Sequence, residues 1–459
     1  MFLFGRFMLD YVQCVTLLGS KKWLTNVISF SRPISPSLRQ IQPLQTEQNY
    51  FPVVIAGAGP AGVTASLFLE NEGIDHLLLE KDVFPRDKIC GDAISSKALD
   101  IVARLKPDAV KQFGKEQGKT LLTNGIQFTA PNGKGVDIAF PKPKGDLPIG
   151  FISRRIDFDN FMFNQLEGAE HATIWQNADL KDAAYQEDGV TLTIHHEGID
   201  KKISTPLVIG ADGARSVVKR KLQGFEQDDK HYCGGIRAYY SNVGGLHPEN
   251  YLELHFMKEL LPGYFWIFPL PNGGANVGMG MLSADIKKRK VNLRKELLNI
   301  VENHPVMKKR FAHANLEGNV VGWGLPFGSK KRELTGNHFI LTGDAASLID
   351  PFTGEGVGNA VISGLVASRM AKKAVESGNY SKESLMEYDQ IMYQKLWDEL
   401  KLSHTMQKLT TYPWLFNFVV NRIHSSSALQ EVFTNMFTDM ELRAKMQNPL
   451  FYVKLLFNR

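Results

Sequence analysis

Three glycine-rich clusters in this 459-residue chain stand where their spacing could do chemistry. The first is Gly57-Ala-Gly59-Pro-Ala61-Gly62. A dinucleotide pyrophosphate must come close to a helix start to use its unpaired N–H groups and its dipole. In this spacing a side chain at Gly57 would disturb the tight turn. One at Gly59 would block the pyrophosphate, and one at Gly62 would hold the helix off its strand. The triplet alone is weak evidence. It gains weight because Glu80 follows about 20 residues on, where an acid takes ribose hydroxyls.

The second cluster, Ile209-Gly-Ala-Asp212-Gly213-Ala-Arg-Ser216, ends an apolar run and would bring backbone close to a ligand at a strand's carboxyl end. By itself a tight Asp-Gly turn explains it better. The third joins Leu341-Thr-Gly343-Asp344-Ala-Ala to Pro351-Phe-Thr-Gly354-Glu-Gly356-Val357-Gly358. An Asp at a strand end accepts from sugar or ribityl hydroxyls. A glycine-rich helix start offers N–H groups to an electron-rich oxygen, such as the N1–O2 edge of a reduced flavin. Alone, it reads as a helix cap.

The elements that must hold these clusters are legible nearby. Pro52–Ala56 is a short apolar run that fits a buried parallel strand. Val63–Glu72 reads as a helix closed by a left-handed cap at Gly73, and His76–Glu80 as a second strand. Together they form a strand–turn–helix–strand unit of about 30 residues. Further on, helices are expected over Ser95–Leu105, Asp157–Leu166 and Gly356–Ser377, and strands over 173–177, 180–186, 190–195, 202–209 and 339–342. Residues 120–149 read as strands and loops. A β-rich block spans 230–323, interrupted by a charged helix near Leu293–Asn303, and Lys382–Arg459 reads as helical and aromatic-rich. No internal repeat is evident.

Composition narrows the classes. The length allows two or three domains or one large discontinuous one. With 53 Lys+Arg against 48 Asp+Glu, no basic field points to nucleic acid. Cys14, Cys90 and Cys233 are too few and scattered for a disulfide framework or a Cys-based zinc site. No motif supports any metal, and His195-His196 reads as solvated strand. A reducing, cytoplasmic setting is the default. No run is long enough to span a membrane, and Asp10 spoils a secretory signal. Residues 1–50 are expected to be a flexible leader, with a transit peptide or an over-extended start site as the alternatives.

In this order the three clusters resemble those of the flavoprotein family that includes the aromatic hydroxylases, flavin halogenases and geranylgeranyl reductases. The resemblance covers about Pro52 to Ser377. It implies an α/β fold: a Rossmann-like FAD-binding domain interrupted by a mixed β-sheet substrate domain, with a C-terminal helical region. The implied FAD-binding parts are 51–105, 150–228 and 335–380, the substrate parts 106–149 and 229–334, and the helical cap 381–459. By position, Gly57, Gly59, Ala61 and Gly62 match the pyrophosphate turn, and Glu80 with Lys81 the adenosine-ribose end. Asp212 and Gly213 match the second cofactor loop, and Asp344 the acid for the sugar or ribityl chain. Pro351, Gly354, Gly356 and Val357 match the loop beside the isoalloxazine. Arg155 matches an Arg that opens a helix and reaches the cofactor; a surface salt bridge is its plainer reading.

Two segments point to one branch. Phe84-Pro-Arg86-Asp-Lys88-Ile-Cys90-Gly91-Asp92 resembles the geranylgeranyl reductase segment in which a basic residue and a Cys-Gly pair follow the second strand. Arg86, Cys90 and Gly91 are therefore expected at the cofactor. Pro262-Gly-Tyr264-Phe-Trp266-Ile-Phe268-Pro269 is similar to that group's YxWxFP motif; flavin halogenases carry WxWxIP, and Tyr264 and Phe268 depart from it. Alternating rings would line an apolar slot suited to a prenyl chain; they fit a plain core strand too. Cys90 is either a reactive thiol or inert packing. It is expected in the pocket with Tyr264 and Trp266 at the reaction end.

The resemblance thus implies saturation of C=C bonds in a prenyl lipid or quinone chain, hydride passing from reduced FAD to one carbon and a proton to the other. The alternatives are an O₂-using aromatic or polyketide monooxygenase or halogenase, and a nonenzymatic flavin- and lipid-binding protein. The electron donor is open between NAD(P)H and ferredoxin, since no second Gly-x-Gly-x-x-Gly unit occurs. The apolar stretches 411–420 and 448–459, near Arg422, Lys454 and Arg459, either lie on a membrane surface or cap the substrate domain. Oligomeric state is not indicated.

Overall fold

The structure is a computed structural model that describes residues 49–140 and 150–426. Cys14, most of the expected leader, and the stretch 448–459 with Lys454 and Arg459 lie outside the described residues.

The chain enters as β1 (Val53–Ala56), turns into α1 (Pro60–Asn71) and returns as β2 (His76–Leu79). Next come β3 (Ala93–Ser95), α2 (Ser96–Val102), α3 (Pro107–Phe113), β4 (Thr120–Leu122), β5 (Gly125–Thr129), β6 (Gly135–Ala139), β7 (Gly150–Ser153) and α4 (Arg155–Asn164). Five strands follow: β8 (Ala172–Trp175), β9 (Ala178–Gln186), β10 (Gly189–His196), β11 (Ile199–Thr205) and β12 (Val208–Gly210). Then β13 (Tyr232–Ser241), β14 (Leu252–His255), β15 (Tyr264–Pro269) and β16 (Ala275–Leu282) lead to α5 (Ser283–Arg289), α6 (Leu293–Asn303) and α7 (Pro305–Arg310). The chain continues through β17 (Asn315–Pro326), β18 (Thr335–Gly336), β19 (Phe339–Leu341), α8 (Val357–Ser377), α9 (Lys382–Leu385), α10 (Glu387–Leu409) and α11 (Pro413–His424).

One sheet has the order β18-β19-β12-β1-β2-β8, parallel except at the β18–β19 edge. Its inner strands are short aliphatic runs buried on both faces, as crossover helices require. Their register explains the sequence clusters. Ala56 pairs with Leu79 on one side and Gly210 on the other, and Gly210 pairs with Leu341. Four adjacent strands therefore end in one row, and Gly57, Glu80, Ala211 and Thr342 all leave the sheet at the same level. Ligands of open α/β sheets bind at that carboxyl edge. Helices α1 and α8 cross over it in close contact, for a Cβ at Gly364 would sit 2.2 Å from the Ala61 carbonyl oxygen.

The second large sheet, β17-β13-β16-β15-β14-β5-β6, is antiparallel except for β14–β5. Its period-2 alternation makes two faces. Phe265, Ile267, Val277 and Met279 are buried on the side covered by Leu297, Ile300 and Val301 of α6. Tyr264, Trp266 and Phe268 alternate to the other side, with Leu252, Leu254, Ile126 and Phe128. Phe416, Val420 and Ile423 of α11 pack into that same core, while Tyr412, Trp414 and Phe418 stay exposed.

Short helices depart from the sequence pattern. The sequence shows one helix in the β-rich block, yet α5 and α7 flank it, and α3 follows α2 after a break. Elements of two turns or fewer carry too few positions for a periodic signal.

Candidate functional site

The three clusters and the aromatic face of the second sheet border one cavity, which with its solvent mouth holds about 1690 Å³ of free space. Its cradle is built from backbone. Gly57 has φ +98°, and a Cβ there would meet the Ala211 carbonyl oxygen at 2.6 Å. A Cβ at Gly62 would lie 1.8 Å from the Gly57 oxygen. Both glycines are demanded by the fold. Gly59 differs: its φ is −74° and nothing lies within 4 Å of an added Cβ. It lines the cavity, as do Ala61 and Gly213, where a Cβ would again meet nothing within 4 Å. No side chain caps α1, so its first N–H groups are open to an anion. Asp212 Oδ2 accepts from the Val217 and Val218 N–H groups, whereas Oδ1 is buried without a partner among the described residues. An open glycine cradle at a bare helix start, beside an orphaned buried oxygen, fits the FAD that the resemblance implies.

Beside the cradle lies a chain of buried charges. Glu80 Oε2 accepts from the Ala58 N–H at 3.1 Å and from Arg86 at 3.1 Å. Arg86 also donates to Asp159 at 2.8 Å, and Arg155 holds Asp159 through bonds of 2.6 and 2.8 Å. Burial opposes the charge of Asp159, but Arg155 and Arg86 outweigh it and lower its pKa. Burial likewise opposes the charges on Arg155 and Arg86, and Asp159 more than offsets it, raising both. The surface salt-bridge reading of Arg155 fails: Arg155 is 5% and Asp159 1% exposed. Arg86 and Arg155 line the cavity. Glu80 sits just behind it, its Oε2 engaged by Ala58 and Arg86 and its Oε1 by the Asp82 N–H. Lys81 points to solvent against Asp82, and Gly57, Gly62, Asp212 and Pro351 shape the wall without lining it.

The third cluster is wound tightly. Asp350 accepts from the backbone N–H groups of Phe352 and Thr353 and from the Thr353 hydroxyl. Burial pushes its carboxyl up to about 6 despite those bonds. Gly354 takes φ +74°, and Glu355 Oε1 accepts from Gly358 N–H at 2.6 Å and Ser95 Oγ at 3.1 Å. Asp344, Gly354, Gly356 and Val357 line the cavity at the start of α8. The Tyr264 hydroxyl donates to the Thr353 carbonyl at 2.7 Å, pinning this loop to the second sheet.

A network that sequence reasoning missed holds Cys90 and Gly91. Asn276 donates to the Cys90 carbonyl at 2.7 Å and to Asp92 Oδ2 at 2.8 Å, and accepts from Trp266 Nε1 at 2.9 Å. Asp92 also accepts from the Tyr239 hydroxyl at 2.8 Å and from the Arg155 N–H at 3.2 Å. Fully buried at φ +69°, it is pushed up to about 6 by burial, against the pull of Asn276 and Tyr239. One signal was available: Asn276 is the polar residue in Ala275-Asn-Val-Gly-Met-Gly-Met, at a cavity-face position. The Cys90 carbonyl is anchored, and the residue lines the cavity half-buried. Cys233 is buried, and desolvation raises its thiol to about 12. Lys88 also lines the cavity, 4.6 Å from the Trp323 ring centre; burial lowers its pKa, with Asp344 opposing.

At the far end the lining turns apolar: Ile126, Phe128, Ile138, Phe140, Leu252 and Leu254, beside Trp266 and Phe268. His195 and His196 lie at the end of β10 and do not line the cavity; His195 is paired with Asp200 and His196 is stacked on Trp175. Among the described residues no acid, His and Cys cluster could hold a metal, and no helix is long and apolar enough to cross a membrane.

The FAD binding domain family matches residues 50–397 of the chain. A digeranylgeranylglycerophospholipid reductase of Methanosarcina acetivorans is 30% identical over 360 residues, covering 77% of this chain and 81% of that protein. A menaquinone reductase of Mycobacterium tuberculosis is 28% identical over 331 residues, covering 69% of this chain and 76% of that one. The crystal structure of a geranylgeranyl bacteriochlorophyll reductase-like protein from Thermoplasma acidophilum aligns with a TM-score of 0.66 at 21% identity, over 89% of this chain and 99% of that one. At that identity the likeness speaks for the fold alone.

Proposed function

The chain belongs to the FAD binding domain family, in its geranylgeranyl reductase group, and from that membership we propose that it saturates C=C bonds of a prenyl chain carried by a lipid or quinone. It is an FAD-dependent oxidoreductase. One observation carries the substrate class: the cavity that begins at the glycine cradle ends in an aliphatic and aromatic slot. A slot of that lining takes a long hydrocarbon and has few groups to orient a small polar ring.

When bound and reduced, FAD supplies the hydride. The residues of the chain supply position. An isolated alkene is a poor hydride acceptor, so the rate depends on holding the bond against the cofactor. Trp266 is fixed through Asn276, and Tyr264 through Thr353, so both rings offer rigid walls at the junction of slot and cradle. The packed faces of Phe128, Leu254 and Phe268 exclude water from the reacting bond. Electrons come from NAD(P)H or a ferredoxin. Residues 51–105, 150–228 and 335–380 form the FAD-binding part, and 106–149 with 229–334 the substrate part.

The proposal extends to peripheral membrane contact. The inner face of α11 packs beside the slot, and its outer face carries exposed Trp414 and Phe418 near Arg422, with exposed Tyr412 just before the helix. Aromatic rings with a basic neighbour suit the membrane interface, where a lipid substrate resides. The test is product analysis. Purified protein, reduced under anaerobic conditions, is mixed with a geranylgeranyl lipid, and mass spectrometry reads the gain of two hydrogens per saturated bond. Unchanged lipid after full reduction of the protein would falsify the proposal.

A further inference from the structure

We propose that Arg237 forms a subsite for the polar end of the substrate, donating to an anionic, phosphate-type oxygen; this rests on the prenyl-chain reading above. Arg237 lies on β13, 4% exposed, and lines the cavity. A guanidinium offers five N–H donors. Among the described residues one of them is taken, by Asp87, whose own side chain is 47% exposed. The Nε of Arg237 is buried with no partner. Buried donors are normally matched, and one left over at a cavity wall calls for a ligand oxygen or water. Asp92, the other acid nearby, does not serve it, because its oxygens are held by Tyr239, Asn276 and the Arg155 N–H.

Position gives the ligand class. Across the sheet Arg237 pairs with Gly278, Gly278 with Trp266, Trp266 with Leu254, and Leu254 with Phe128. That row runs from a charge to pure hydrocarbon on one face of the sheet. Gly278 puts no side chain between Arg237 and Trp266, whose ring covers that position: an added Cβ would lie 2.2 Å from it. The Tyr239 ring centre is 4.0 Å from the Arg237 guanidinium and 4.4 Å from that of Arg154, so two cations converge at this end. Arg154 and Arg237 each keep one exposed acid, Glu317 and Asp87. A molecule with a hydrocarbon tail and an anionic head matches the row end to end. A quinone carbonyl shares the acceptor chemistry without the charge.

The experiment titrates oxidised holoprotein in detergent with three C20 ligands: a prenyl phosphate, a prenyl quinone and the headless polyene. Binding is read from the perturbed visible spectrum of the bound flavin. Wild type is expected to bind the phosphate most tightly. Arg237→Gln is expected to weaken the phosphate about 10- to 100-fold and the polyene less than about twofold. Arg237→Lys, which keeps the charge and the Asp87 pair, is expected to recover most of that loss. FAD content should stay equal in all three proteins, which guards against misfolding. Equal weakening of phosphate and polyene, or no weakening of either, overturns the subsite. Selective weakening of the quinone overturns its anionic assignment. If wild type binds none of the three, the prenyl-chain reading itself falls.

Discussion

The cradle and the slot are walls of one cavity built by opposite means. The cradle is backbone: glycines, bare N–H groups and the carboxyl ends of four strands in register. The slot is side chain: rings and branched aliphatics on one face of a seven-stranded sheet, fixed by hydrogen bonds to Thr353 and Asn276. At Gly57 and Gly62 the first is intolerant of any added atom, and the second should tolerate exchange of volume. That contrast sets the order of expected effects.

The sharpest break lies within the cradle. Gly62→Val drives a side chain into the Gly57 carbonyl and should fail to fold or lose about 3 kcal/mol or more. Gly59→Val has open space and an ordinary φ, so it should lose FAD while keeping the thermal midpoint of FAD-stripped wild type. Absorbance at the flavin bands beside a thermal melt separates the two. A yellow Gly59→Val protein with wild-type flavin content would remove the cofactor assignment from this turn.

The next largest effect is in the buried charges that border the cradle. Asp159→Ala leaves Arg155 and Arg86 without their shared partner and should cost about 3–5 kcal/mol in chemical denaturation. A loss below about 1 kcal/mol would mean the array is solvated and adds little to the cradle.

Acid titration probes the loop that joins the regions. Asp350 rises from 3.8 to about 6, so the folded state binds its proton more tightly than the unfolded chain. Its contribution is favourable when protonated and is lost as pH rises through about 4 to 6. At 1.36 kcal/mol per unit, wild type should lose up to about 3 kcal/mol relative to Asp350→Asn across that window. Parallel stability curves for the two proteins would contradict the burial argument. The smallest effect is Tyr264→Phe, which removes one bond to Thr353 and should cost about 1 kcal/mol with FAD retained; retention of full turnover would show that pinning the loop is not needed.

The same contrast explains what the sequence disclosed. Gly57, Gly59 and Gly62 act through backbone, and backbone demands leave fixed spacings. The Gly354–Val357 turn was legible for the same reason, and Asp344 by its place at a strand end. Arg155 was legible by position, while its plainer reading required burial to be refuted. Asp92, Asn276, Tyr239 and Arg237 come from a loop and two strands brought together only by sheet register, so no local spacing marks them. Glu80 shows the converse: its position at the strand end was readable, its engagement by Arg86 was not, since Arg86 returns through a loop.

The most direct test of a single cavity joining cradle and slot is one anaerobic turnover in one cuvette. Protein reduced to the stoichiometric point is mixed with a geranylgeranyl lipid, and the flavin band is followed while product is quenched and weighed. The oxidised band is expected to return in step with one saturated bond per flavin, and to fail to return in Leu254→Trp, which fills the slot and leaves the cradle untouched. A band that stays bleached with lipid present and returns only when O₂ is admitted would contradict it.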